Sequence, residues 1–311
     1  MDMKPTRDAF GEELVTLGKD NKNIVVFSGD LEDATRAEYF KHAYSERFFN
    51  LGIAEQDVVG TAAGMSSLGF VAFACSFAVF LTNRAYDMIR LDVCYNNTNV
   101  KIVCSHAGVT VGEDGASAQC LEDFAIMRVL PNIQVICPVD YIEAKKATRA
   151  IVNQKGPVYM RTGRAPFPII TKESDPFTIG QANVLRDGKD VTLIACGLMV
   201  YEALQAAQLL QKDGIQARVV NMHTIKPIDE AAIIDAVKKT GAVVTAEEHQ
   251  IHGGLGSAVA EVLAKKSPAP LEMIAVNDVF GETGNPQELL KAYHLKDVDI
   301  VAAAKKVVKR K

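Results

Sequence analysis

"FVAFACSFAVFLTNRAYDMIRLDVCYNNTNVKIVCSH", Phe70 to His106, decides the fold class. Its two ends, "FVAFACS" (70–76) and "NVKIVCSH" (99–106), are unbroken apolar runs of strand length rather than alternations of apolar and polar residues. An unbroken run suits a strand covered on both faces, the usual state in a parallel sheet. Between them, Val79–Tyr95 carries helical periodicity and predicts one helix. Strand, helix and strand in this order make a crossover unit whose two strands run parallel.

The same rhythm extends to both sides. "NIVVFSGD" (23–30), "NIQVICP" (132–138) and "GPVYMR" (156–161) read as strands; Pro5–Gly18, Glu55–Leu68, Leu121–Val129 and Asp140–Asn153 read as helices. It stops at "RAPFPIITKESDPFTIGQANVLRDG" (164–188), whose three prolines and scattered charges suit a linker with an edge hairpin. A second rhythm follows, with strands at "DVTLIACG", "QARVVNM", "AVVTAEEH" and "LEMIAV". Helices are expected around Val200–Lys212, at Asp229–Lys239, after "GGLGS" and at the C-terminus. The expected fold is α/β: two layered α/β/α domains with largely parallel sheets, residues 1–170 and 188–311, joined by a linker at 171–187.

Composition narrows the function classes. The 311 residues are 48% hydrophobic and 23% charged, an ordinary globular balance. A net charge of −4 gives no general attraction to nucleic acid or to an anionic membrane. No apolar run reaches the roughly 18 residues of a membrane span, and "MDMKPTRDAF" is too polar for a signal peptide. The basic tail "KKVVKRK" reads as a solvated helix end. Six dispersed cysteines without a Cys-x-x-Cys pair fit reduced thiols in a cytoplasmic protein.

Ligands of α/β sheets collect beyond the carboxyl ends of strands, and in the first domain those ends are polar. "SGD" (28–30), "SHAGVTVGEDGASAQ" (105–119) and "RTGR" (161–164) follow strands, the second being too long and glycine-rich for a plain connection. Glu55 is the anomaly. It follows Leu51-Gly52-Ile53-Ala54 and precedes Val58, Val59, Ala62 and Ala63, so its carboxyl is expected in an apolar pocket that disfavours the charged form. In the second domain, "GGLGS" lacks a full dinucleotide-binding glycine pattern and reads as a close-packing turn. Glu247, His249 and His252 lack a further ligand group at metal spacing, so no metal is expected on this chain.

Taken together, "NLGIAEQDVVGTAAG", "CSFAVF", "SHAGVTVGEDGASAQCLEDFAIMRVLPNIQVICPVD" and "RTGR" resemble the C-terminal half of transketolase, in the family's order and near its spacing. The resemblance implies a pyrimidine-binding domain followed by the transketolase C-terminal domain, "EEHQIHGGLGSAVAEVL" belonging to the latter. It implies thiamine diphosphate as cofactor and two-carbon ketol transfer between sugar phosphates. Glu55 matches the glutamate that bonds the aminopyrimidine ring. Phe77 and Phe80 match its aromatic platform, with Asp30 and Gln119 also near the cofactor. His106 matches a histidine at the donor's reacting carbons. Asp114 matches the acid that binds a substrate hydroxyl, and Arg164 and Arg7 match phosphate-binding arginines.

The family's metal motif, Gly-Asp-Gly with a later Asn, is absent. "SGDL" has Leu31 for the second glycine and Asn50 only twenty residues beyond Asp30. The chain therefore resembles one subunit of a split transketolase, active only with an N-terminal partner that holds the diphosphate and Mg²⁺ or Ca²⁺, in an α₂β₂ heterotetramer of the pentose phosphate pathway. Two positions depart from the pattern: Ala118, where relatives often carry histidine, and Ala34, where they often carry a phosphate-binding serine. The alternatives are a beta-type subunit of a 2-oxoacid dehydrogenase, a deoxyxylulose-phosphate synthase-like protein, or a non-catalytic paralogue.

Overall fold

A computed structural model describes residues 2–311. The apolar runs become strands because β-branched and aromatic side chains fill them and helices cover both faces. In chain order the first six are β1 (Ile24–Ser28), β2 (Phe48–Asn50), β3 (Val71–Phe77), β4 (Val100–Ser105), β5 (Gln134–Ile136) and β6 (Val158–Arg161). They lie in the order β5-β6-β4-β3-β1-β2, and every neighbouring pair is parallel. β1, β3, β4 and β6 are buried along their whole length, which is why they lack alternation. β2 went unforeseen because three residues, two of them exposed, leave no pattern to read.

The second sheet begins with β7 (Asn183–Arg186), β8 (Val191–Ala195) and β9 (Ala217–Asn221). The chain then crosses back: β10 (Thr224–Lys226) joins β5 antiparallel and becomes the seventh strand of the first sheet. β11 (Val243–Gln250) and β12 (Leu271–Val276) complete the second sheet in the order β12-β11-β8-β9-β7, with β7 antiparallel. Residues drawn as a linker are thus tied at both ends. Phe167–Pro168 pairs with Met3–Lys4, and β7 pairs with β9.

The helices that flank the sheets include α1 (Thr6–Asp20), α2 (Glu55–Ser67), α3 (Ala78–Arg84), α4 (Asp123–Arg128), α5 (Tyr141–Asn153), α6 (Met199–Lys212), α7 (Glu230–Thr240), α8 (Leu255–Lys266), α9 (Pro286–Ala292) and α10 (Asp297–Val308). The single helix expected over Val79–Tyr95 is broken. Ala85 leaves helical geometry at φ −104°, ψ 19°, and a widened π-type turn follows over Ile89–Tyr95. One apolar core runs through both sheets, from Phe27, Val58 and Ile102 to Ile194, Val220 and Val259. All six cysteines are free and buried. No helix among the described residues is long and apolar enough to cross a membrane.

Candidate active site

The chain leaves β1 toward β2 on one side and returns to β3 on the other, so the order of the parallel strands reverses between β1 and β3. Connections diverge there and leave a crevice at the carboxyl ends. Glu55 opens α2 at this point and is 3% exposed. The helix N-terminus favours negative charge beside it. The apolar pocket expected around Glu55 is only part of its surroundings. Arg84 Nη1 donates to Glu55 Oε1 at 2.8 Å, so the carboxyl is half of an ion pair. Arg84 is the last residue of α3, just before the chain leaves helical geometry at Ala85.

A ladder of flat groups continues from that pair. The Arg84 guanidinium lies 4.5 Å over the Phe80 ring. Phe80 stacks on Phe77 at 5.6 Å and 17°, and Phe77 on His106 at 3.7 Å and 16°. The spacing Phe80-x-x-x-Arg84 places both on one helical face, a signal the sequence did offer. His106 ends the ladder in the left-handed region at φ 60°, a conformation that costs a non-glycine residue roughly 1–3 kcal/mol. Ser105 Oγ lies 2.8 Å from His106 Nδ1. Burial, then Arg7, Arg164 and Arg36, push the His106 pKa down to about 3, so the ring is neutral at ordinary pH. It can offer hydrogen bonds there without carrying charge.

Arg7 and Arg164 lie near each other and near His106, and both lower the affinity of its ring for a proton. Arg7 N donates to the Gly163 carbonyl at 3.4 Å, and Gly163 N to Thr6 Oγ1 at 2.6 Å. Arg164 Nη1 donates to Glu113 Oε2 at 2.7 Å and to the Val111 carbonyl. Asp114 is exposed beside Glu113. Ala118 is buried against Phe77 and Val111, and Ala34 packs on the same apolar cluster. The glycine-rich loop is more ordered than foreseen: Val109–Asp114 forms 3-10 turns, kinked at Gly112 with φ 83° and ψ −117°.

Two residues expected near the cofactor are engaged by partners within the chain. Gln119 is buried, but its Nε2 donates to the Val109 and Glu282 carbonyls, turning the amide toward the segment before α9. Asp30 is exposed at φ 63° and accepts from Asn50 Nδ2 at 2.9 Å. The two residues set aside as a metal motif therefore bond each other. Among the described residues no three His, Cys, Asp or Glu side chains gather as a metal site. Arg161, the other arginine of "RTGR", is buried in an ion pair with Asp123 at 3.1 Å. A void of about 40 Å³ beside Arg161, between the sheets, has room for a few waters and not for a sugar phosphate.

The family description "Transketolase, pyrimidine binding domain" matches residues 2–168, and "Transketolase, C-terminal domain" matches 180–300. The chain belongs to the transketolase family. Among its relatives is a Methanocaldococcus jannaschii protein whose name gives it, provisionally, as a transketolase C-terminal section. It is 49% identical, over 94% of this chain and 92% of its own length. A 6-deoxy-6-sulfo-D-fructose transketolase subunit of Clostridium sp. is 41% identical, over 98% and 95% of the two chains. A solved structure described as a split gene transketolase, inactive beta4 tetramer, superposes with a TM-score of 0.92 at 48% identity, covering 98% of each chain.

Proposed function

We propose that this chain is the C-terminal subunit of a thiamine-diphosphate-dependent transketolase, moving a two-carbon ketol unit from a ketose phosphate to an aldose phosphate. One observation carries the reading: a buried carboxyl at a helix N-terminus, paired with one arginine and standing beside a stack of three rings. A carboxyl beside stacked rings suits a flat heteroaromatic with ring nitrogens, which is the pyrimidine half of that cofactor. When bound, thiamine diphosphate supplies the carbanion chemistry that breaks and makes carbon–carbon bonds next to a carbonyl.

The chain's own residues act around that chemistry. Glu55 has Oε1 on Arg84, which leaves Oε2 to share a proton with the heteroaromatic ring. Phe77 and Phe80 hold the ring flat, and the closed stack keeps water from that face. His106, neutral, orients a hydroxyl of the donor near the reacting carbons. Asp114 binds a second hydroxyl, and Arg7 and Arg164 take the phosphate. The diphosphate and its cation fall to an N-terminal partner subunit, in an α₂β₂ assembly. The solved relative described as an inactive beta4 tetramer supports a need for that partner.

The test is to co-purify the chain with its candidate partner, add thiamine diphosphate and Mg²⁺, and assay ketose-to-aldose transfer. The complex is expected to be active and this chain alone inactive. Full transfer by this chain alone would remove the split-subunit reading. A complex that binds no thiamine diphosphate would favour the non-catalytic alternative.

A further inference from the structure

Arg36 carries no motif in the sequence, yet the fold sets it beside Arg7 on a shared carboxylate, Asp8. It ends the helical turn Glu32–Thr35 in the left-handed region at φ 66°. That turn sends the side chain back onto α1, where Nε donates to Asp8 Oδ1 at 2.8 Å and Nη1 to the Asp33 carbonyl at 2.8 Å. Asp8 Oδ1 is also 4.0 Å from Arg7 Nε, so one carboxylate holds two adjacent guanidiniums. Arg7 in turn donates Nη1 to the Ala34 carbonyl at 2.8 Å, while its Nε is buried without a partner. Arg164 is drawn alongside by the Gly163 contacts.

Arg7 and Arg36 share Asp8, and together with Arg164 they lie near enough to His106 to help keep it neutral; an acid occupies one edge of each guanidinium. Asp8 serves Arg7 and Arg36, Glu38 lies 3.9 Å from Arg36, and Glu113 serves Arg164. Among the described residues, Nη2 of Arg7, Arg36 and Arg164 has no hydrogen-bond partner. Burial, and secondarily the neighbouring Arg36, lower the pKa of Arg7. A tetrahedral anion with several acceptor oxygens meets that arrangement. Ala34 contributes no side-chain donor here.

We propose that Arg36 binds the substrate's terminal phosphate directly, completing with Arg7 and Arg164 a three-guanidinium grip for a dianionic phosphate monoester. This rests on the ketol-transfer reading for the identity of the substrate. A sulfonate terminus has the same three oxygens and only one negative charge, so the grip favours the phosphate.

The test compares three ketose donors, ending in phosphate, in sulfonate and in an uncharged hydroxyl, with the partner-reconstituted complex. For Arg36→Gln, KM for the phosphate donor is expected to rise about 10- to 100-fold, the size of a lost charged hydrogen bond. kcat/KM for the hydroxyl donor is expected to stay unchanged, and Arg36→Lys to recover only part of the loss. Equal loss on charged and uncharged donors, or none on either, would overturn the proposal, as would a preference for sulfonate over phosphate. Thermal unfolding of each variant shows whether loss of the Asp8 contact has disturbed the fold. Calorimetric titration of inorganic phosphate into the full chain gives an independent readout. Binding is expected to weaken in Arg36→Gln, and equal affinity would sink the assignment. If wild type transfers from none of the donors, the ketol-transfer reading fails, and the phosphate titration still decides Arg36.

Discussion

Each sheet has a buried glutamate at its carboxyl edge next to a helix N-terminus, and the two differ in how many partners they have. Glu247, on β11, accepts from Leu255 N at Oε2 and from Gly256 N at Oε1, both at 2.7 Å, so α8 is capped from inside. "GGLGS" is glycine-rich for this reason: a Cβ on Gly254 would stand 2.1 Å from Glu247 Oε2. His249 stacks on Phe124 and is closed off as well. Glu55, on α2, has one oxygen bonded to an arginine whose side chain is 48% exposed. Burial of a carboxyl therefore does not mark a functional site by itself. The two carboxyls differ in their partners: two backbone amides of its own domain close off Glu247, while Glu55 has one half-exposed arginine and stays open to a ligand.

That contrast can be broken by substitution, and the largest effect is expected at Glu55. Glu55→Gln should lower transfer by the reconstituted complex about 10²- to 10⁴-fold, the range of a lost proton-handling group. Its melting temperature should stay near wild type. A fully active Glu55→Gln would show that Glu55, like Glu247, is structural. Glu247→Ala should do the reverse, leaving two buried amides unpaired at a cost of about 2–5 kcal/mol. Urea unfolding measures that loss, while kcat of the folded fraction should be retained. A collapse of kcat at unchanged stability would erase the distinction between the two edges.

The third expected effect is smaller and depends on pH. Glu248 reaches across to the first sheet's loop, where Thr110 N donates to Oε1. Burial pushes its pKa up to about 7. The folded state then keeps a proton that the unfolded chain releases near its ordinary value of 4.5. Stability from this group is fully present below about pH 4.5 and is lost as pH rises through 7. Glu248→Gln cannot titrate, so its unfolding free energy should fall less than wild type over that window, by on the order of 2 kcal/mol. Identical slopes in denaturation series at several pH values would count against a titrating contact between the sheets.

How much was legible follows from the same physics. Strands buried on both faces write their burial into composition, so β1, β3, β4 and β6 could be read directly, and Glu55 stood out against apolar neighbours. Local spacing sets Arg84 on the helical face of Phe80, but its ion-pair partner Glu55 lies on another helix, which spacing alone does not reveal. Arg36 was hidden by a left-handed backbone at an ordinary residue. Gln119 was assigned by motif alone, and its direction is set by carbonyls at Val109 and Glu282, the latter far along the chain. Non-local partners decide side-chain direction, and a local pattern carries no trace of them.

β10 carries a consequence for how the molecule is made. The edge of β5 is covered by residues roughly ninety positions later in the chain. At synthesis rates of about 5–20 residues per second, that edge stays open for several seconds after β5 has left the ribosome tunnel. During that interval the first sheet can complete its parallel pairs and still offer a free ladder to another nascent chain. The short strand that looks like an ornament of the second sheet's connection is the last piece of the first sheet to arrive, and it sets when the newborn protein stops being adhesive.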